Sequence, residues 1–294
     1  MVYKFFVPPT DPVVGWHKFI CDGIVDHQDT RLVTSATQAD FVIIGLFSQV
    51  SKKVLNDKER LIVVDYSDRP SRLIPANDCL LYFKRSVYDK ETGNLFGAQV
   101  IPIGFPIKKE FLELRPESAA TNRTLDLACF FESNYRDISW NNNRSRVARL
   151  LKRTFSDSRY RTQFGHVGQA GNLGRNVFQN SYQNALCESR IVVTCNPDLW
   201  EGDHRLYEAL SSGALVMIDE MQTPLQNKFN DGEHLIYYRL DDLDDLLKKC
   251  FYYLEHEEER LKIAQCGYEY ALKHHTYVSR IDEILSEIKK ARLV

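Results

Sequence analysis

RIVVTCNPDLWEGDHRLYEALSSG, residues Arg190 to Gly213, decides the reading of this chain. It opens on a short β-branched strand, crosses a polar loop and enters a helix whose first turns carry Asp203, His204, Arg205, Leu206 and Glu208. A second strand, ALVMID (Ala214 to Asp219), follows at once. Strand, loop, helix and strand in that order build an open α/β sheet, in which ligands bind in the crevice beyond the strand ends. A helix N-terminus there favours an anion, and a histidine beside an arginine adds to the preference. The stretch predicts a site for a phosphorylated ligand, foremost a nucleotide.

Within that helix, Arg205 has the planar fork that holds two phosphate oxygens. Glu208 lies one turn beyond His204 on the same face, where a carboxylate accepts hydrogen bonds from ribose hydroxyls. The competing reading is structural: a pair closing the helix onto Glu201 or Asp203, and an exposed helix glutamate. Gly213 is expected to end the helix in a left-handed conformation.

Working outward, the chain divides into two α/β halves. Strands are expected at Tyr3 to Val7, Phe41 to Gly45, Leu61 to Asp65, Cys79 to Phe83 and Val100 to Ile103, with helical or polar segments at Gly15 to Ile24 and Gln49 to Asp57. Short, wholly apolar runs such as FVIIG and LIVVD fit a buried, mostly parallel sheet. IPIGFPIKKEF and LRPESAATNR read as a hinge. A second unit opens at Leu125 to Phe131 and continues through a helix at Arg144 to Phe155, a weak strand at Thr162 to Val167 and a helix at Val177 to Glu188. Gly168, Gly171 and Gly174 lack the strand–turn–helix order of a dinucleotide fingerprint and read as a loop. In the C-terminal third, Leu240, Leu243, Leu247, Cys250, Phe251 and Leu254 recur at helical spacing and predict one buried face, with further helices at Glu257 to Leu272 and Ile281 to Ile288. The expected division is residues 1–120, an acceptor-side domain, and 121–294, a donor-side domain whose last helix can return to the first. Two such domains imply a cleft between them.

The 294 residues are 44% hydrophobic and 27% charged, with a net charge of −2, so no global basic excess points to nucleic acid. The cluster Arg144, Arg146, Arg149, Lys152 and Arg153 reads as a solvated helix face. No apolar run approaches the roughly 18 residues of a membrane span, and MVYKFFVPPT does not read as a signal peptide. Seven cysteines without regular spacing predict reduced thiols and a cytoplasmic protein. Asp241, Asp242, Asp244 and Asp245 read as first-turn helix charges rather than metal ligands.

Beyond the strand ends of the first half, Asp11, His17, Asp65 and Asp68 are candidates for a general base, each with the alternative of a cap or turn residue; Asp68, Asp11 and His17 head the set. Arg136, shortly after LDLACFF, is a candidate for reaching a diphosphate, or a loop arginine.

The succession EGDHRLYEALSSGALVMID, then Gly232 with Glu233, Tyr237 to Leu243, and His275, Thr276, Tyr277 with Arg280, resembles the glycosyltransferases of group 1, including their CgeB-like branch, from Arg190 to Leu285. Exostosin-like transferases carry a comparable helix. The resemblance implies a GT-B fold, with two Rossmann-like domains and C-terminal helices. It also implies transfer of a sugar from a nucleoside diphosphate, UDP before GDP, to a hydroxyl of a glycan or other acceptor. In that family the second glutamate of an E-x7-E motif binds the donor ribose, and Glu208 matches it. The first glutamate falls at Trp200, with Glu201 adjacent, and this departure favours inversion by a base from the N-terminal domain. Arg205 and His204 with backbone amides are expected to replace a metal, so no cofactor is expected. A non-catalytic sugar-nucleotide binder and a sugar-nucleotide epimerase are the alternatives.

Overall fold

The computed structural model describes residues 2–11, 15–67, 72–87, 100–113, 115–116, 122–131, 142–165, 179–196, 202–221 and 223–293. Contacts divide the chain into two units: Met1–Lys109 with Thr223–Gln226 and His275–Val294, and Glu110–Gln222 with Asn227–His274.

The first unit holds strands β1 (Tyr3–Phe6), β2 (Thr30–Leu32), β3 (Phe41–Ile44), β4 (Leu61–Asp65), β5 (Leu81–Lys84) and β6 (Val100–Pro102), with helices α1 (Gly15–Asp26) and α2 (Lys52–Leu55). Its sheet runs β2-β1-β3-β4-β5-β6 and every pairing is parallel. The apolar runs sit centrally: each residue of β3 and β4 is buried, as a sheet covered on both faces requires. Two expectations shift. Ala76–Asp78 form a 3-10 turn that delays β5 to Leu81, and within the helical or polar segment expected at Gln49 to Asp57 only the four residues of α2 are helical. The edge strand β2 has no apolar run, and only Thr30 of its three residues is buried.

The second unit holds α3 (Lys109–Glu113, which begins on the boundary), β7 (Leu125–Cys129), α4 (Asn142–Phe155), β8 (Thr162–Phe164), α5 (Gln179–Glu188), β9 (Ser189–Val193), α6 (His204–Ser211), β10 (Leu215–Asp219), β11 (Ile236–Tyr238), α7 (Leu243–Glu255) and α8 (Glu257–His274). Its sheet runs β11-β10-β9-β7-β8, again all parallel. Read from β8, this is the doubly wound order 2-1-3-4-5, the order in which the first sheet also begins. In such sheets the chain reverses direction of travel beside the first strand, and the carboxyl ends there leave a crevice. The reversal in the second sheet lies between β7 and β9.

On α7, Leu246, Cys250 and Tyr253 form the buried row. Phe251, expected inside, is 39% exposed; its ring lies 5.0 Å from that of Phe155. Asp242 caps this helix by accepting the Asp245 N–H, with Asp244 and Asp245 in the first turn, so the acidic run serves the helix start.

The last helix, α9 (Tyr277–Leu293), belongs to the first unit. It buries Ile281, Ile284, Leu285 and Ile288. The His275, Thr276, Tyr277 and Arg280 motif fastens it there. The Ile107 N–H donates to the His275 carbonyl at 2.6 Å and the Tyr277 N–H to the Ile107 carbonyl at 2.9 Å. The Tyr277 hydroxyl reaches Asp26 at 2.6 Å. The buried guanidinium of Arg280 donates to the carbonyls of Gly104 at 2.9 Å and Phe105 at 3.0 Å. These residues hold the tail in place.

Candidate nucleotide site

Helix α6 begins at His204, beyond the carboxyl end of β9 and at the sheet reversal. Asp203 stands at its cap position, yet its side chain does not cap the helix. The carboxylate is instead held by two arginines, accepting from Arg144 at 2.7 Å and from Arg205 at 2.6 Å. Arg144 also donates through Nε to the Cys195 carbonyl at 2.9 Å. One guanidinium thereby joins the start of the helix after β7 to the segment after β9, the two arms of the reversal. The first-turn N–H groups of α6 add a partial positive charge beside these two arginines.

Arg144 is a correction to the sequence reading, which placed it on a solvated face. It is buried, whereas Arg146, Arg149, Lys152 and Arg153 of the same helix are exposed. The only hint in the sequence was its place at the start of the helix that follows β7. Its partners lie 51 and 59 residues away.

His204 and Arg205 are both half-buried, and Leu206 is fully buried in the helix interior. Glu208, read as either a ribose ligand or an exposed glutamate, is 4% exposed. Its Oε2 accepts the Tyr182 hydroxyl at 3.0 Å, and the Tyr182 ring is set edge-on to Phe130 at 5.4 Å. A carboxylate placed in this setting is fixed in orientation. Gly213 ends the helix as expected, with φ of 71°.

At the end of β10, Asp219 accepts the Asn196 N–H at 2.7 Å and the Asn196 side-chain amide at 3.1 Å. Burial pushes its carboxyl up to about 6, against the opposing pull of the Asn196 hydrogen bonds. The sequence marked Asp219 only as the last letter of a strand. The pair ties β10 to the segment after β9 that leads towards α6.

In the first unit, the segments after β1 and β3 are knitted together. The Asp11 N–H donates to the Phe47 carbonyl at 3.2 Å and the Gln49 N–H to the Pro9 carbonyl at 2.9 Å. Asp11 itself is exposed and His17 half-buried on α1, with the Cys21 sulfur 3.9 Å from its ring nitrogens. Asp65 is wholly buried and occupied: Ser67 donates twice to Oδ1, while Tyr82 and Lys84 reach Oδ2 at 3.0 and 2.8 Å. That network makes Asp65 a structural carboxylate, not a base open to substrate. Asp68, Arg136, Trp200 and Glu201 lie outside the described residues, as does the glycine-containing stretch 166–176.

All seven cysteines are free thiols. Among the described residues no helix is long and apolar enough to cross a membrane, and no three His, Cys, Asp or Glu side chains gather as metal ligands.

Each unit thus holds one parallel, doubly wound sheet, and its solved neighbours are glycosyltransferases of the GT-B fold. Residues 141–286 match the family described as glycosyl transferase-like, so this part of the chain is similar to a glycosyltransferase domain. No curated protein matches the sequence. Among solved structures, the fold is similar to the alpha-glucosyltransferase AGT in complex with UDP, at 10% identity over 97% of this chain and 99% of that one, with a TM-score of 0.60. It is also similar to Anabaena HepE in complex with UDP, at 12% identity over 97% and 100% of the two chains and a TM-score of 0.55. TarM aligns at 11% identity and a TM-score of 0.52, over 81% of this chain, which spans 56% of that one.

Proposed function

We propose that the protein transfers a sugar from a nucleoside diphosphate, UDP before GDP, to a hydroxyl of a glycan or other acceptor, with inversion and without a metal. The observation that carries this reading is α6: a buried Glu208 oriented by Tyr182 stands one turn inside a helix whose start bears His204 and Arg205, at the sheet reversal. The ribose hydroxyls donate to Glu208, and the diphosphate faces the helix start. The fold neighbours AGT and HepE hold UDP, which favours uridine. AGT is also known with UDP-glucose and DNA; here the net charge of −2 favours an acceptor other than nucleic acid.

In the reaction the acceptor oxygen attacks the anomeric carbon as the bond from that carbon to the diphosphate oxygen breaks. The leaving diphosphate takes the electron pair, and its growing charge is met by Arg205, His204 and the helix N–H groups, with Arg136 as a further candidate. The hydroxyl proton passes to a base of the first unit, for which Asp68, Asp11 and His17 are the candidates. Loss of the base lowers turnover by roughly 10²-fold or more while donor binding is retained. Asp68→Asn, Asp11→Asn and His17→Ala are therefore compared for turnover and for donor affinity.

Calorimetry with UDP, GDP, ADP and CMP and their sugar conjugates, with and without EDTA, tests the reading. Saturable, EDTA-insensitive binding of one nucleoside diphosphate, with its release from the sugar conjugate when acceptor is added, supports it. Binding without release makes the protein a sugar-nucleotide binder, and the absence of any binding by folded protein removes the donor site.

A further inference from the structure

Asp203 stands where an N-cap residue stands, and its backbone, with φ −89° and ψ 159°, has the extended conformation that a cap requires. Aspartate is also among the residue types that cap most readily, because its carboxylate accepts N–H groups of the first helical turn. Here the side chain accepts no capping hydrogen bond, and the Leu206 N–H goes to the Asp203 carbonyl at 3.1 Å. Residue type and backbone both favour the cap, so what turns the carboxylate away comes from elsewhere in the fold.

Two guanidiniums hold it, and both donate to the same oxygen, Oδ2: Arg144 at 2.7 Å and Arg205 at 2.6 Å. They differ in origin. Arg205 lies two residues on and belongs to α6 itself. Arg144 belongs to α4, 59 residues away, and its Nε is fastened to the Cys195 carbonyl at 2.9 Å. Its side chain is 9% exposed and that of Asp203 11%, so the charge-assisted bond between them is sheltered from water and strengthened by it. Arg144 therefore gives the carboxylate a fixed direction that α6 alone does not supply. The consequence is electrostatic. A carboxylate at the first-turn N–H groups occupies the place that suits an anion and repels a second one. Held on Arg144, it does neither.

We propose that Arg144 is a positioning residue for the donor diphosphate. It acts through Asp203, holding that carboxylate off the N-terminus of α6, so that the helix end receives the diphosphate and not its own aspartate. Arg144 need not touch the donor for this. The role rests on the reading of α6 as the donor site, and goes beyond it by assigning the device that keeps that site open to an anion.

UDP and uridine are the probes, titrated by calorimetry into the full chain, since uridine lacks the diphosphate. Arg144→Met is expected to weaken UDP binding about ten-fold or more, as a like charge does when brought to a ligand anion, and to leave uridine binding nearly unchanged. A merely structural role would lower both together. Asp203→Ala is expected to change UDP affinity little in wild type and to restore most of the loss in Arg144→Met, a non-additivity that marks action through the carboxylate. Should Arg144→Met fail to fold, Arg144→Lys, which keeps the charge and loses the planar fork, takes its place in the same cycle, with smaller shifts in the same directions. Equal losses for UDP and uridine, additive effects of the two substitutions, or unchanged UDP binding in a folded Arg144 variant overturn the role of Arg144. Wild type that binds neither probe removes the donor reading itself, and this role with it.

Discussion

The fourth strands of the two sheets, LIVVD (β4) and LVMID (β10), occupy equivalent places in the doubly wound order and both end on a buried aspartate. Their fates differ because of the next strand. Asp65 is in register with Lys84 of β5, whose ammonium meets the carboxylate at 2.8 Å. Asp219 is in register with Tyr238 of β11, whose phenol turns to the Thr194 carbonyl at 2.8 Å. Asp219 is held by the neutral amides of Asn196 and by the Cys195 thiol. A carboxylate given a cation is locked as a structural charge. One given only neutral donors stays where its proton is in play, on the strand neighbouring β9 and the segment towards α6.

The largest effect separating the two is expected at Lys84. Lys84→Met strands the Asp65 charge in a fully buried site and should destabilise the protein by about 3–5 kcal/mol. Adding Asp65→Asn should recover part of that loss. Denaturant unfolding measures both, and a loss of under about 1 kcal/mol in the single variant contradicts a charged, structural Asp65.

The next effect lies in pH. Because folding raises the Asp219 carboxyl from an ordinary value near 4 to about 6, the stability it contributes is whole below about pH 4. It is lost as pH rises through about 6. The full swing is on the order of 3 kcal/mol. Wild type is therefore expected to lose stability relative to Asp219→Asn between about pH 4 and about pH 7. Parallel pH profiles for the two proteins contradict the difference drawn between the aspartates.

A smaller change should follow Tyr238→Phe, which removes the phenol donated to Thr194 and costs about 1 kcal/mol. If the substitution also weakens nucleotide binding, the β9–β10 end communicates with α6; if only stability moves, Tyr238 is confined to packing.

Much of this was legible in the sequence. The apolar runs FVII, LIVVD and LVMID became central parallel strands because burial on both faces admits little else. The helix from His204 and its glycine end were legible from local chemistry. What escaped the sequence is non-local. Tyr182 meets Glu208 across 26 residues, Asn196 meets Asp219 across 23, and Arg144 meets Asp203 across 59. No periodicity encodes such pairs. Sheet order alone brings them together, so Arg144 passed for a surface charge. The edge strands β2 and β11, of three residues each, also escaped.

The central claim is that Glu208 of α6 is a ligand of the donor nucleotide and not merely a buried helix residue. Tyr182→Phe approaches it from outside, and is expected to weaken nucleotide binding by up to about ten-fold through loss of one hydrogen bond to the carboxylate. The direct measurement is calorimetric titration of UDP into wild type and Glu208→Ala in EDTA, with unfolding midpoints recorded on the same samples. Donor affinity is predicted to fall by about 10-fold or more with a comparatively small change in midpoint. An unchanged dissociation constant in a folded variant would contradict the claim.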